Sequence, residues 1–134
     1  MREFTFPKSS RLLKNSQFRA VMARRLSARD SGSPGLILYA RENDLNYPRL
    51  GISLSKSCGK AVVRNRLKRL LREAFRQNKH LIPPGFDYVV SMSGHRARQI
   101  SDKSTAKAAL KALKFEEVRD SLLTLAARLA AKSS

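Results

Sequence analysis

A chain of 134 residues suits one domain with a single real core. Its 28 Lys and Arg against 10 Asp and Glu leave a formal net charge of +18, which points to a polyanionic partner, nucleic acid first and an acidic membrane face second. The absence of a membrane-length apolar run, the lack of a secretory core in MREFTFPKSS and the single Cys58 argue against a membrane span, a signal peptide, an intramolecular disulfide framework and a cysteine-built zinc site, and make a cytosolic protein the simplest reading.

In chain order, residues 1–14 read as an irregular basic arm in which Pro7 blocks an early helix. Asn15 or Ser16 is placed to cap a short helix running to about Arg25, with Phe18, Val21 and Met22 on one face. Ser31 to Gly35 is a turn cluster, and Leu36 to Arg41 follows as a strand. Asn43 to Pro48 suits a hairpin loop leading into a strand over Arg49 to Ser55, where Leu50, Ile52 and Leu54 alternate with small residues.

The strongest expectation is a helix from Gly59 to about Asn78. At 100° per residue, Val63, Leu67, Leu70, Leu71, Ala74 and Phe75 share one side. Asn65, Lys68, Arg69, Arg72 and Arg76 share the opposite side, and Arg64 and Arg66 flank the apolar stripe. Pro83, Pro84 and Gly85 end this region, and the apolar run Phe86 to Met92 reads as a central strand. Ser93 to Ser104 is a basic loop, and Val118, Leu122, Leu125 and Leu129 mark a last amphipathic helix. A long helix between two strands suits an α+β sandwich.

A protein-built active site is not visible. His80 and His95 lack catalytic or metal-ligand neighbours, and Cys58 lacks a base. The acids are scattered, with Glu116, Glu117 and Asp120 placed where a helix N-terminus favours them. The feature that stands out is cationic. Residues 56–79 carry nine Lys and Arg against one acid, Glu73, so the helix lacks the alternating charges of a salt-bridged surface helix. Arginine grips phosphate with a planar fork and stays charged, and an asparagine inside that row can read a sugar hydroxyl, a phosphate or a metal-bound water. Phe18 on the first helix and Tyr39 on the first strand are placed to face each other across a groove as a stacking platform for single-stranded bases, or else Phe18 belongs to the core.

Four stretches together resemble the protein subunit family of bacterial ribonuclease P: Leu12-Leu-Lys-Asn-Ser-Gln-Phe18, Gly51-Ile-Ser-Leu-Ser-Lys56, Ala61-Val-Val-Arg64-Asn65-Arg66-Leu-Lys68-Arg69-Leu-Leu-Arg72-Glu-Ala-Phe75 and Asp87-Tyr-Val-Val90. The resemblance covers residues 8–92 closely. It implies a two-layer α+β sandwich, ribosomal protein S5 domain 2-like, in which the basic helix makes a left-handed β-α-β crossover. Residues 93–114 look like an insertion, within one RNA-binding domain over residues 1–134.

The resemblance also implies a role as cofactor to a catalytic RNA. That RNA removes the 5′ leader of precursor tRNA by hydrolysis, with Mg2+ bound mainly by the RNA and one protein monomer per RNA. Carried over by position, Lys60, Arg64, Asn65, Arg66, Lys68, Arg69, Arg72 and Arg76 face the catalytic RNA. Phe18, Met22, Tyr39 and Lys56 line a leader-binding cleft, although Met22 stands where the family often has an aromatic and Ser57 where it often has a second lysine. The alternative is a structural or ribosomal RNA-binding protein with no processing role. A protein-only nuclease is disfavoured by the scattered acids, and a DNA-binding protein by the lack of a helix-turn-helix spacing.

Overall fold

The structure is a computed structural model that describes residues 8–30, 35–54, 61–92 and 114–133. Among these, four strands form one sheet: β1 (Leu26–Arg29), β2 (Leu36–Glu42), β3 (Arg49–Ile52) and β4 (Phe86–Met92). Three α-helices accompany it: α1 (Asn15–Ala23), α2 (Ala61–Gln77) and α3 (Phe115–Ser133). The sheet order is β1-β2-β4-β3. β1 and β4 each pair antiparallel with β2, while β3 pairs parallel with β4. The chain therefore crosses from β3 to β4 through α2, and the architecture is the α+β sandwich expected from the residues.

Alternation along the strands builds two unequal faces. Leu26 and Ala28, Leu36, Leu38 and Ala40, Leu50, and Tyr88, Val90 and Met92 turn to one side. There they meet Val63, Leu67, Leu70, Leu71, Ala74 and Phe75 of α2 and Val118, Leu122, Leu125, Ala126 and Leu129 of α3. On the other side Val89 joins Leu12 and Val21 in a smaller cluster, against which Phe18 and Tyr39 are half-buried. Having partners on both faces, β4 takes the centre, as its apolar run implied. Tyr88 is buried, which pushes its phenol pKa up, and its hydroxyl donates to the Pro83 carbonyl.

Several expectations are corrected. Asn43 to Pro48 is not a hairpin loop, because β4 lies between β2 and β3. The loop instead folds back on the start of β4: the Asn43 N–H donates to the Gly85 carbonyl, and the Asn43 side-chain amide donates to Asp87. β3 ends at Ile52 rather than Ser55. Strand β1 has no counterpart in the sequence reading; it is four residues long and held by β2 on its edge and α3 on its face. It starts directly after Arg25, whose φ of 58° turns the chain sharply out of α1.

The N-terminus of α1 is not capped by Asn15 or Ser16. The Gln17 side-chain oxygen accepts from the backbone N–H groups of Leu13 and Lys14, so the glutamine reaches back over the first turn. Residues 8–12 lie beside β3, with a bridge from Arg11 to Leu50 and the Leu12 N–H donating to the Leu50 carbonyl. Lys79 ties this segment to the end of α2 by donating to the Ser10 hydroxyl at 2.7 Å. The turn at 31–34, the segment 55–60 and the loop and insertion expected over 93–113 lie outside the described residues.

Candidate nucleic-acid interface

The same six residues that the helical period assigned to the core are buried on α2, so its opposite flank must face outward. Asn65, Lys68, Arg69, Arg72 and Arg76 line one open groove of about 370 Å3 along that flank, together with Glu73. A second hollow nearer the start of the helix is lined by Val62, Asn65, Arg66 and Arg69. Asn65 and Arg69 belong to both, so the cationic surface is continuous over several turns.

The charges differ in how they are engaged. Arg76 forms an ion pair with Glu73 one turn back, and Gln77 donates to the same carboxylate. Among the described residues no ion pair involves Lys68, Arg69 or Arg72. Arg69 and Arg72 are exposed and Lys68 is half-buried. Arg64 is half-buried at the edge of the apolar stripe, and Arg66 is exposed.

A separate cleft of about 380 Å3 opens at the C-terminal end of β3. Asn15 and Phe18 of α1, Ile52, Ser53 and Leu54, and Lys68 of α2 form its walls. Phe18 is held there by a close approach to β3, since a Cβ on Gly51 would lie 2.6 Å from ring atoms Cε2 and Cζ. Phe18 and Tyr39 both pack against the smaller cluster, and Phe18 also lines the cleft. Met22, on the same helix, is 39 % exposed.

Lys56 and Lys60 lie outside the described residues. Sequence reasoning missed Asn15, Ile52, Ser53, Leu54, Val62 and Glu73 as lining residues. Val62 carried a signal, an apolar residue off the buried stripe, and is 60 % exposed. Asn15 and Ser53 carried none, because only the fold brings their segments together. Among the described residues no three His, Cys, Asp or Glu side chains converge into a group able to hold a metal ion, and no helix is long and apolar enough to cross a membrane.

Two ion pairs brace the scaffold. Arg49 of β3 meets Asp87 of β4 through two hydrogen bonds of 2.7 and 2.6 Å, which raise the arginine pKa above its ordinary value. Arg24, just past α1, pairs in the same two-pronged way with Glu42 at the end of β2.

Comparison with known proteins agrees with this geometry. The ribonuclease P family profile matches residues 6–117. The ribonuclease P protein component of Vibrio campbellii is 38 % identical over 108 residues, covering 80 % of this chain and 87 % of that protein. That of Clostridium kluyveri is 46 % identical over 81 residues, or 59 % and 70 % of the two chains. Among solved structures, the RNase P protein of Thermotoga maritima superposes with a TM-score of 0.68 at 32 % identity, over 88 % of this chain and 96 % of that one. The Staphylococcus aureus RNase P protein superposes at 0.64 and 27 % identity, over 88 % and 86 %, in a variant with defective mRNA degradation activity. With sequence motif, sheet topology and helix placement in agreement over most of its length, the chain belongs to the family of ribonuclease P protein components.

Proposed function

We propose that this chain binds the catalytic RNA of ribonuclease P through the outer flank of α2 and takes the 5′ leader of precursor tRNA in the cleft beside α1, assisting removal of that leader. Lys60, Arg64, Asn65, Arg66, Lys68, Arg69, Arg72 and Arg76 form the RNA-facing row, and Phe18, Met22, Tyr39 and Lys56 the leader side. The hydrolytic chemistry rests with the RNA and with Mg2+ that the RNA mainly holds. One protein acts with one RNA, in the cytoplasm. The observation that carries this reading is the alignment of Asn65, Lys68, Arg69 and Arg72 along one groove, with no internal carboxylate paired to the three cations among the described residues.

The physical role is screening. A protein of charge +18 placed between two RNAs lowers their mutual repulsion, and with it the Mg2+ needed for assembly. The test is reconstitution with a bacterial ribonuclease P RNA at low Mg2+, with and without protein. The expected result is faster cleavage and tighter binding of leader-bearing substrate. Arg69→Ala and Arg72→Ala should each weaken affinity for the catalytic RNA and lower its salt dependence by about one counterion. RNA binding without any change in cleavage or substrate affinity would leave only a structural RNA-binding role.

A further inference from the structure

We infer that Lys68 marks the crossing between the two surfaces, gripping a leader phosphate where the RNA strand leaves the cleft and passes onto the groove of α2. The inference rests on the proposed function and moves Lys68 from the row that faces the catalytic RNA to a contact with substrate.

Three observations carry it. First, Lys68 is the one described residue that lines both the cleft at the end of β3 and the cationic groove. Second, the other described residues of the cleft are neutral: Asn15, Phe18, Ile52, Ser53 and Leu54 offer an aromatic ring, aliphatic surface, an amide and a hydroxyl. Such walls suit a base and a ribose, and among the described residues Lys68 alone adds a cation that can meet the linking phosphate. Third, Lys68 is half-buried and, among the described residues, in no ion pair. A four-carbon stem packed along the cleft wall leaves the ammonium free to turn toward either surface. Arg69 and Arg72 line the groove but not the cleft, so they do not share this position.

The test uses the reconstituted holoenzyme and Lys68→Met, which keeps the aliphatic stem and removes the charge, with the melting curve of the free protein as a check on folding. Affinity is measured for precursor tRNA with and without its leader, and for leaders in which single phosphates are replaced by neutral methylphosphonates. Lys68→Met should weaken leader-bearing substrate by about fivefold, leave leaderless RNA unchanged, and abolish the penalty of neutralising one particular leader phosphate. Lys68→Arg should retain most of the affinity. Equal loss for both substrates, weakened binding of the catalytic RNA with no leader effect, or an undiminished methylphosphonate penalty at every position would each overturn the assignment. Failure of the broader reading is separately visible, because Arg69→Ala and Arg72→Ala would then leave catalytic-RNA affinity intact.

Discussion

Gly51 and Phe18 are in direct contact: the ring edge occupies the space where any other residue on β3 would carry its Cβ. Gly51→Ala must therefore push the ring, which is packed on the smaller cluster with Leu12, Val21 and Val89. The expected cost is about 1–3 kcal/mol of stability, as for other overpacked sites. Chemical denaturation measures that loss. On the proposed reading, leader-bearing substrate should lose affinity beyond any loss for leaderless RNA, because the displaced ring invades the cleft.

Asp87 links three segments. It accepts from Arg49 on β3 and from Asn43 in the loop after β2, and only 8 % of the residue is exposed. Asp87→Asn removes the charge that compensates the half-buried guanidinium. A loss of about 3 kcal/mol is expected, the lower end for breaking a buried pair. Urea denaturation of Asp87→Asn alone and of Arg49→Met with Asp87→Asn gives the comparison; the double variant should regain part of the loss, since no unpaired charge remains.

Glu42 gives a pH dependence of known sign. Hydrogen bonds from the Arg24 guanidinium hold its carboxyl below the ordinary value. A group depressed in the folded state stabilises fully above its unfolded value and loses that contribution as pH falls through the folded one. Both side chains are about half exposed, so the effect is small and screened by salt. Glu42→Gln should show a lower denaturation midpoint than the parent at neutral pH and converge with it in acid at low ionic strength. A difference that stays constant with pH would contradict the assignment.

Charge repulsion across a molecule of +18 predicts stabilisation by anions that bind only the folded state. At free sulfate or phosphate about a hundredfold above its Kd, the gain is about 2.7 kcal/mol per site. A thermal scan against sulfate concentration should show a rising Tm. The rise should be smaller in Arg69→Ala with Arg72→Ala, which thins the charge lining the groove.

What the sequence disclosed follows the range of the forces involved. The apolar stripe from Val63 to Phe75 repeats at the helical period within one segment, and every one of its six residues is buried. β4 was legible from end to end because its burial on both faces shows as a nearly continuous apolar run, interrupted only by Asp87 and Ser91. β1 was not: only Leu26 and Ala28 turn inward, too few for a periodic signal, and partners distant in sequence make it a strand. The parallel pairing of β3 with β4 was hidden from local pattern, since the short polar stretch 43–48 resembles a hairpin turn until β4 claims the position between; only the family resemblance, with its β-α-β crossover, implied it. The cationic flank was readable residue by residue, but the pairing of Arg76 with Glu73 was not part of that reading, which took Glu73 as a lone acid in a basic stretch. The cleft was only half readable. Phe18 stood out as an aromatic, but Asn15, Ser53 and Lys68 come from three segments that meet only in the fold.

The central position of β4 sets a timetable for synthesis. A ribosome releases β1, β2, β3 and α2 before residue 86, yet β2 and β3 share no edge and both wait for the strand that joins them. Until then the arginine helix has no completed sheet to brace it. The sheet beneath the arginine helix can thus be completed only after that helix has itself been synthesised, when β4 enters between the two strands already made.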